Sequence, residues 1–235
     1  MTTRVRLVLV TGFVAVIATA VVVVISGRVV VRGLLARESE VRLDPLGLGT
    51  LGAAPSIAGV IVLAGDSRMV ALTMPEEIEG VPVRRVAVGG TTTAQTRLLV
   101  ERLLNSGTPR LVVIQSGIND LKSSGYGLEA SALIEGASSE LLGLAASVRD
   151  AGGSILVTSI LPPGRPGGAR RLIWDGDLAD HVDRTNDLLE AGLHPIEWHE
   201  WTEPLTFADA LHLDEETNDR LSSRLIDVIR ARVTD

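Results

Sequence analysis

The chain has 235 residues, 46% of them hydrophobic but only 3% aromatic, with a formal net charge of −7 and no cysteine. That length gives one ordinary domain beyond a short N-terminal segment, enough for a core without covalent staples, and the missing cysteines exclude disulfides and thiolate metal sites. Residues 1–40 carry five Arg and two Glu, so the acidic charge sits in the rest of the chain, which lacks the cationic surface that nucleic-acid binding requires.

In chain order, the first element is an apolar run from Leu7 to Ser26 without a charged residue. At about 1.5 Å per helical residue it matches the roughly 30 Å hydrocarbon core of a bilayer. It is longer than the apolar region of a cleavable signal peptide, so residues 1–28 read as an uncleaved signal anchor that reaches the membrane through residues 7–26. Arg4 and Arg6 precede the run and Arg28, Arg32 and Arg37 follow it, so charge counting alone leaves its orientation nearly balanced. Residues 29–57, rich in Gly and Pro toward their end, read as a juxtamembrane linker to a domain at 58–235.

Within that domain short apolar runs alternate with helical spacing. Val60–Leu63, Val83–Val88, Leu111–Ile114, Ser154–Ile160 and His194–Trp198 read as strands. Arg97–Leu104, Leu133–Val148, Asp177–Ala191 and Asp214–Val233 read as helices. Gly107-Thr108-Pro109, Gly152-Gly153 and Pro162-Pro163-Gly164 punctuate them. Such alternation predicts a parallel sheet with both faces covered, a three-layer α/β/α domain.

Four short motifs carry candidate chemistry. Ala64-Gly65-Asp66-Ser67 directly follows the first strand and places a serine hydroxyl at the strand's C-terminal end, where ligands of α/β sheets bind. A serine needs a neighbouring base to act as a nucleophile at neutral pH. Asp209-Ala210-Leu211-His212 offers His212 as that base, with Asp209 three residues earlier to hold the imidazole tautomer. Gly90, in Gly89-Gly90-Thr91, permits a close backbone N–H, and Asn119, in Gly117-Ile118-Asn119-Asp120, offers a side-chain amide; both suit a developing oxyanion. Taken singly, each motif is also an ordinary turn or cap.

In order and context the four motifs resemble the blocks of the SGNH, or GDSL-like, hydrolase superfamily, over about residues 58–232. The resemblance implies a flavodoxin-like α/β/α fold and Ser-His-Asp chemistry on esters, without a metal or organic cofactor. Carried over by position, Ser67 attacks the acyl carbonyl, and His212 takes its proton and returns it to the leaving alcohol. Asp209 orients His212, and the Ser67 N–H, the Gly90 N–H and the Asn119 side chain form the oxyanion hole. Two positions depart from the pattern. Arg68 stands where the GDSL name has leucine, a variation expected to leave the chemistry untouched. In the second block Thr91 follows the glycines where an acid is usual, and Gly89 leaves the assignment ambiguous by one residue.

The remaining conspicuous residues read as structural. His181 falls on a helix and is expected to be solvated. His199, in Trp198-His199-Glu200-Trp201, does not match the HExxH zinc pattern, and its flanking tryptophans are expected to pack. Arg165, Arg170, Arg171 and Trp174 belong to a Gly/Pro-rich loop on the ligand side of the sheet. The expected function is a membrane-anchored serine esterase removing a small acyl group, such as acetyl, from a cell-envelope carbohydrate, with its domain outside the cytoplasm. The alternatives are an acyltransferase using the same triad and a non-catalytic glycan-binding domain of the same fold.

Overall fold

The computed structural model describes residues 14–27, 56–168 and 174–234. The chain divides into two units, Met1–Gly52 and Ala53–Asp235. In the first, the described part is helix α1 (14–27), whose side chains are exposed. Residues 7–13 of the expected anchor lie outside the described residues, and among the described residues no helix is long and apolar enough to cross a membrane.

The second unit is built on a six-stranded sheet. In chain order it contains β1 (Ile61–Gly65), α2 (Ser67–Ala71), β2 (Glu77–Ile78), β3 (Val81–Arg85), α3 (Thr93–Leu104), β4 (Leu111–Gln115) and α4 (Ile118–Leu121). A 3₁₀ turn (Lys122–Tyr126), α5 (Ala130–Asp150), β5 (Ser154–Thr158), α6 (Leu178–Gly192), a second 3₁₀ turn (Pro195–Glu197), β6 (Trp198–His199) and α7 (Glu215–Thr234) complete it. The strand order is β2-β3-β1-β4-β5-β6. All neighbours are parallel except β2 and β3, which form an antiparallel hairpin.

Period-two alternation explains the two cores. Val62 and Ala64 of β1, with Val112 and Ile114 of β4, face a cluster completed by Val100 of α3, Leu141 and Leu144 of α5 and Val182 of α6. Ile61 and Leu63, with Val113 of β4, face the other side, where Leu221, Leu225 and Ile229 of α7 pack. Those three residues are spaced by four, one stripe of a helix, and full burial of each is worth about 1.5–3 kcal/mol. The sheet is thus covered on both faces, as the continuous apolar runs predict.

Most expected elements form with small boundary shifts, and three differences have physical causes. The strand expected over His194–Trp198 starts only at Trp198, because His194 and Glu197 close a capping box around a 3₁₀ turn with Pro195 at its start. The strand expected over Val83–Val88 is assigned to Val81–Arg85. Yet the amides of Val86 and Val88 still donate to the carbonyls of Leu63 and Gly65 at 2.8 and 2.9 Å, so the chain runs on beside β1. His181, expected in solvent, is 8% exposed: it shares the buried stripe of α6 with Leu178, Val182, Thr185 and Leu189. Trp201 is buried as expected, with the His199 ring edge-on at 4.8 Å.

From β1 the chain moves to one side to form β3 and then returns to the other side to form β4. The crevice at the C-terminal ends of β1 and β4 is therefore the topological switch point, the usual ligand position in open parallel sheets.

Candidate active site

Ser67 follows β1 at this switch point as the first residue of α2. Asp66 caps the helix: its Oδ1 accepts the Arg68 N–H at 2.9 Å. The Ser67 amide belongs to the first helical turn, where N–H groups have no intrahelical acceptor. The Ser67 side chain is half-buried.

The turn after β3 comes alongside. Thr91 N–H reaches the Val88 carbonyl, and the Thr91 hydroxyl donates to the same carbonyl at 2.9 Å and to Gly65 O at 3.2 Å. Thr91, standing where the resemblance expects an acid, thus ties the turn to the end of β1. The one-residue ambiguity between the glycines gains a geometric difference. A Cβ on Gly89 would lie 3.8 Å from the Ser67 Cβ, whereas one on Gly90, at φ +82°, would meet nothing within 4 Å. Neither glycine amide donates to another described residue.

Asn119 enters from α4, at the end of β4, and is buried. Its Nδ2 donates to Thr91 O at 3.0 Å, and its Oδ1 accepts from Lys122 Nζ at 2.5 Å. An amide nitrogen has two hydrogens, so one remains for the crevice after Thr91 is served. Asp120, next to it, is absorbed by structure: its carboxylate accepts from the amide and hydroxyl of Thr93 at the start of α3.

The base loop precedes α7. Ala208 N–H donates to His212 O and Phe207 bridges to Leu213, so residues 207–213 form a tight antiparallel turn. Inside it Asp209 Oδ1 accepts the Leu211 and His212 amides at 2.7 and 2.8 Å, and Oδ2 lies 2.9 Å from His212 Nδ1. Burial opposes ionisation of Asp209, but the hydrogen bonds from the His212 ring and the two amides outweigh it and hold the carboxyl well below the usual carboxylate range. With Nδ1 engaged by this carboxylate, Nε2 is the basic nitrogen. The structure assembles the Asp209–His212 pair and closes no hydrogen bond from His212 to the Ser67 hydroxyl. Such contacts commonly tighten only when substrate binds.

Arg68, named in the sequence only as a departure from the family pattern, has contacts that the sequence did not indicate. It is 3% exposed, and its guanidinium donates to Leu211 O from Nε and to Pro162 O from Nη2, each at 2.9 Å, and to Leu161 O from Nη1. Burial pulls it down to about 10, so it remains a cation at neutral pH.

Asp66 is fully buried, and burial pushes its carboxyl up to about 6; its Oδ2 finds no hydrogen-bond partner. The folded protein therefore holds a proton that the unfolded chain, with a carboxyl near 3.8, releases. Stability attributable to this group is full below pH about 4, falls as pH rises to about 6, and stays reduced above it by some 2–3 kcal/mol. Asp66→Asn keeps the cap and removes the titration. Urea unfolding should show the variant more stable than wild type at pH 8, with the gap closing at pH 4. A gap independent of pH would contradict the assignment.

A cavity of about 500 Å³ opens beside the base loop, lined by Pro163, Gly164, Arg165, Trp174, Asp175 and Leu178. Gly164 joins the two, its N–H donating to Ala210 O at 3.0 Å. Arg170 and Arg171 lie outside the described residues.

The parallel sheet thus carries Ser67 at its switch point, and the Asp209–His212 turn precedes its last helix. No protein-family model matches the chain, and no curated protein matches it in sequence. Solved structures do match it, and the chain has the fold of the SGNH/GDSL-type hydrolases. It is similar to a carbohydrate acetylesterase from Sinorhizobium meliloti, with a TM-score of 0.59 at 17% identity over 74% of this chain and 99% of that one. An aryl esterase from M. smegmatis gives 0.57 at 15% identity over 74% and 99%. A GDSL-like lipase from Bacteroides thetaiotaomicron gives 0.52 at 16% identity over 79% and 93%.

Proposed function

We propose that the chain is a serine esterase that hydrolyses a small acyl ester, with acetyl on a carbohydrate as the favoured substrate, and that residues 7–26 hold it to a membrane with the domain outside the cytoplasm. The observation that carries the reading is the Asp209–His212 pair, 2.9 Å apart, on a loop bonded directly to the helix that begins with Ser67.

In this mechanism His212 Nε2 removes the Ser67 proton as Oγ attacks the acyl carbon. The carbonyl π electrons move to oxygen, and the oxyanion is held by the Ser67 amide, an amide of the Gly89-Gly90 turn and Asn119 Nδ2. Collapse expels the alcohol, which takes the proton from His212, and leaves an acyl-Ser67 ester. Water, deprotonated by the same imidazole, then releases the acid. Asp209 stays ionised throughout and stabilises the imidazolium.

Three observations support a carbohydrate substrate. A structural neighbour is a carbohydrate acetylesterase. The cavity beside the base loop combines the Trp174 ring with Arg165 and Asp175, an apolar face with polar groups around it, which suits a sugar. The uncharged N-terminal run suits a substrate at the cell envelope.

The test is turnover. The purified full chain should release p-nitrophenol from p-nitrophenyl acetate and acetate from an acetylated sugar. With a glycan acceptor present, released acid should still exceed acylated product. No turnover of either ester would overturn the esterase reading, and a predominance of acylated glycan would make the protein a transferase.

A further inference from the structure

Resting on the esterase reading, the geometry points to Arg68 as the positioning residue that sets the base loop against the nucleophile. The guanidinium adjoins Ser67 in sequence and is nearly fully buried, yet its main contacts are far along the chain. It donates to the carbonyl of Leu211, the residue immediately before His212, and to the carbonyls of Leu161 and Pro162, which follow β5. Two loops, the one after β5 and the base loop, are thus tied to the residue next to the nucleophile.

The alternatives for these groups explain why this is more than packing. A leucine here would fill similar space but leave the Leu211, Leu161 and Pro162 carbonyls without this donor. The base loop also makes its own turn bonds and accepts the Gly164 N–H at Ala210 O. Those bonds shape the turn and join it to the loop after β5; neither reaches α2. Among the described residues, the Arg68–Leu211 bond is the hydrogen bond that runs from α2 to the residues between Asp209 and His212. A planar fork with several donors fixes direction as well as distance, which an ammonium on a flexible stem does not. The side chains of Asp209 and His212 are 43% and 47% exposed, so packing covers only about half of the imidazole. A hydrogen-bonded tether from α2 supplies a further constraint.

A residue in this role affects the rate of acyl transfer rather than substrate affinity. Displacing a reacting group by about 1 Å can cost as much as a hundredfold in rate. The full-chain Arg68→Ala variant should therefore lose roughly tenfold to a hundredfold in kcat on p-nitrophenyl acetate, with KM within about twofold of wild type. Millimolar guanidinium should restore several-fold activity by occupying the vacated site, while methylammonium should not. Arg68→Lys should fall between Ala and wild type. Circular dichroism establishes which variants are folded; if Arg68→Ala is not, the Lys variant and its kcat-to-KM split decide.

Wild-type kcat in a folded variant would overturn the proposal. So would a loss confined to KM, or a loss of kcat that guanidinium leaves untouched in a folded Ala variant. Wild-type protein inactive on all esters would instead sink the esterase reading, so the two failures are distinguishable.

Discussion

Ser67→Ala is expected to reduce kcat for ester hydrolysis by about 10⁴-fold or more, and His212→Ala by a similar factor. In the proposed mechanism the serine oxygen is the atom to which the acyl group is transferred, so no neighbouring group can replace it by a small shift. His212 Nε2 is the free nitrogen of an imidazole whose Nδ1 is held by Asp209 at 2.9 Å. Because the two act in one step, the losses should not multiply. The double variant should be about as slow as either single one, with the residue of activity supplied by the oxyanion donors. His212 is exposed and Ser67 is only half-buried, so circular dichroism and urea midpoints should stay near wild type. Steady-state kinetics on p-nitrophenyl acetate checks this. A Ser67→Ala variant with wild-type turnover would remove Ser67 from the mechanism, and fully multiplicative losses would mean that Ser67 and His212 act separately.

Gly65→Ala is expected to have the largest effect on stability. Gly65 closes β1 at φ +150°, a conformation that residues with a side chain rarely adopt. It pairs with Gln115 of β4, and a Cβ built on it would stand 1.9 Å from the Gln115 carbonyl oxygen and 2.8 Å from the carbonyl carbon. These are backbone atoms of a central strand and cannot move aside without opening the β1–β4 pair. The cost should exceed about 3 kcal/mol, a large share of the 5–15 kcal/mol that ordinarily holds a domain together. Gly136, on the exposed face of α5 with nothing within 4 Å of an added Cβ, is the matched control. Gly136→Ala should stabilise by roughly 0.5–1 kcal/mol. Urea denaturation of both variants is decisive, and a Gly65→Ala midpoint close to wild type would contradict the close approach of β1 and β4 at this residue.

The motif Gly65-Asp66-Ser67 thus serves two ends. Gly65 leaves room for the Gln115 carbonyl where β1 and β4 pair, and Asp66 caps the helix that begins with Ser67. Asp66 does so at a cost in stability above pH 6, since its buried Oδ2 is unpartnered.

What the sequence made legible follows from how far each physical signal reaches. The runs at Val60–Leu63 and Leu111–Ile114 are apolar throughout because both faces of a central strand are covered, and they fell where the strands lie. The long helices showed their stripes for the same reason. Helix α2 went unseen because five residues are too few for a period, and β2 because two residues carry no alternation. The 3₁₀ turn at Pro195–Glu197 was hidden in an apolar-looking segment, since its capping box depends on His194, an unusual cap. At the site, Ser67, Asn119, Asp209 and His212 were visible as polar residues at turns in a workable order. The placement of Gly89 against Ser67 was not, because two adjacent glycines look alike until the backbone path is known. Arg68 was read as an incidental substitution because its partners are backbone carbonyls some 93 to 143 residues away, and carbonyls leave no mark on sequence.

The most direct test of the account is to treat the purified full chain with a fluorophosphonate ester, which phosphonylates an activated serine, and to locate the adduct by peptide mass spectrometry. The account predicts a single adduct on Ser67, formed in step with loss of esterase activity and absent from His212→Ala. An adduct on another serine, or full esterase activity without modification of Ser67, would contradict it.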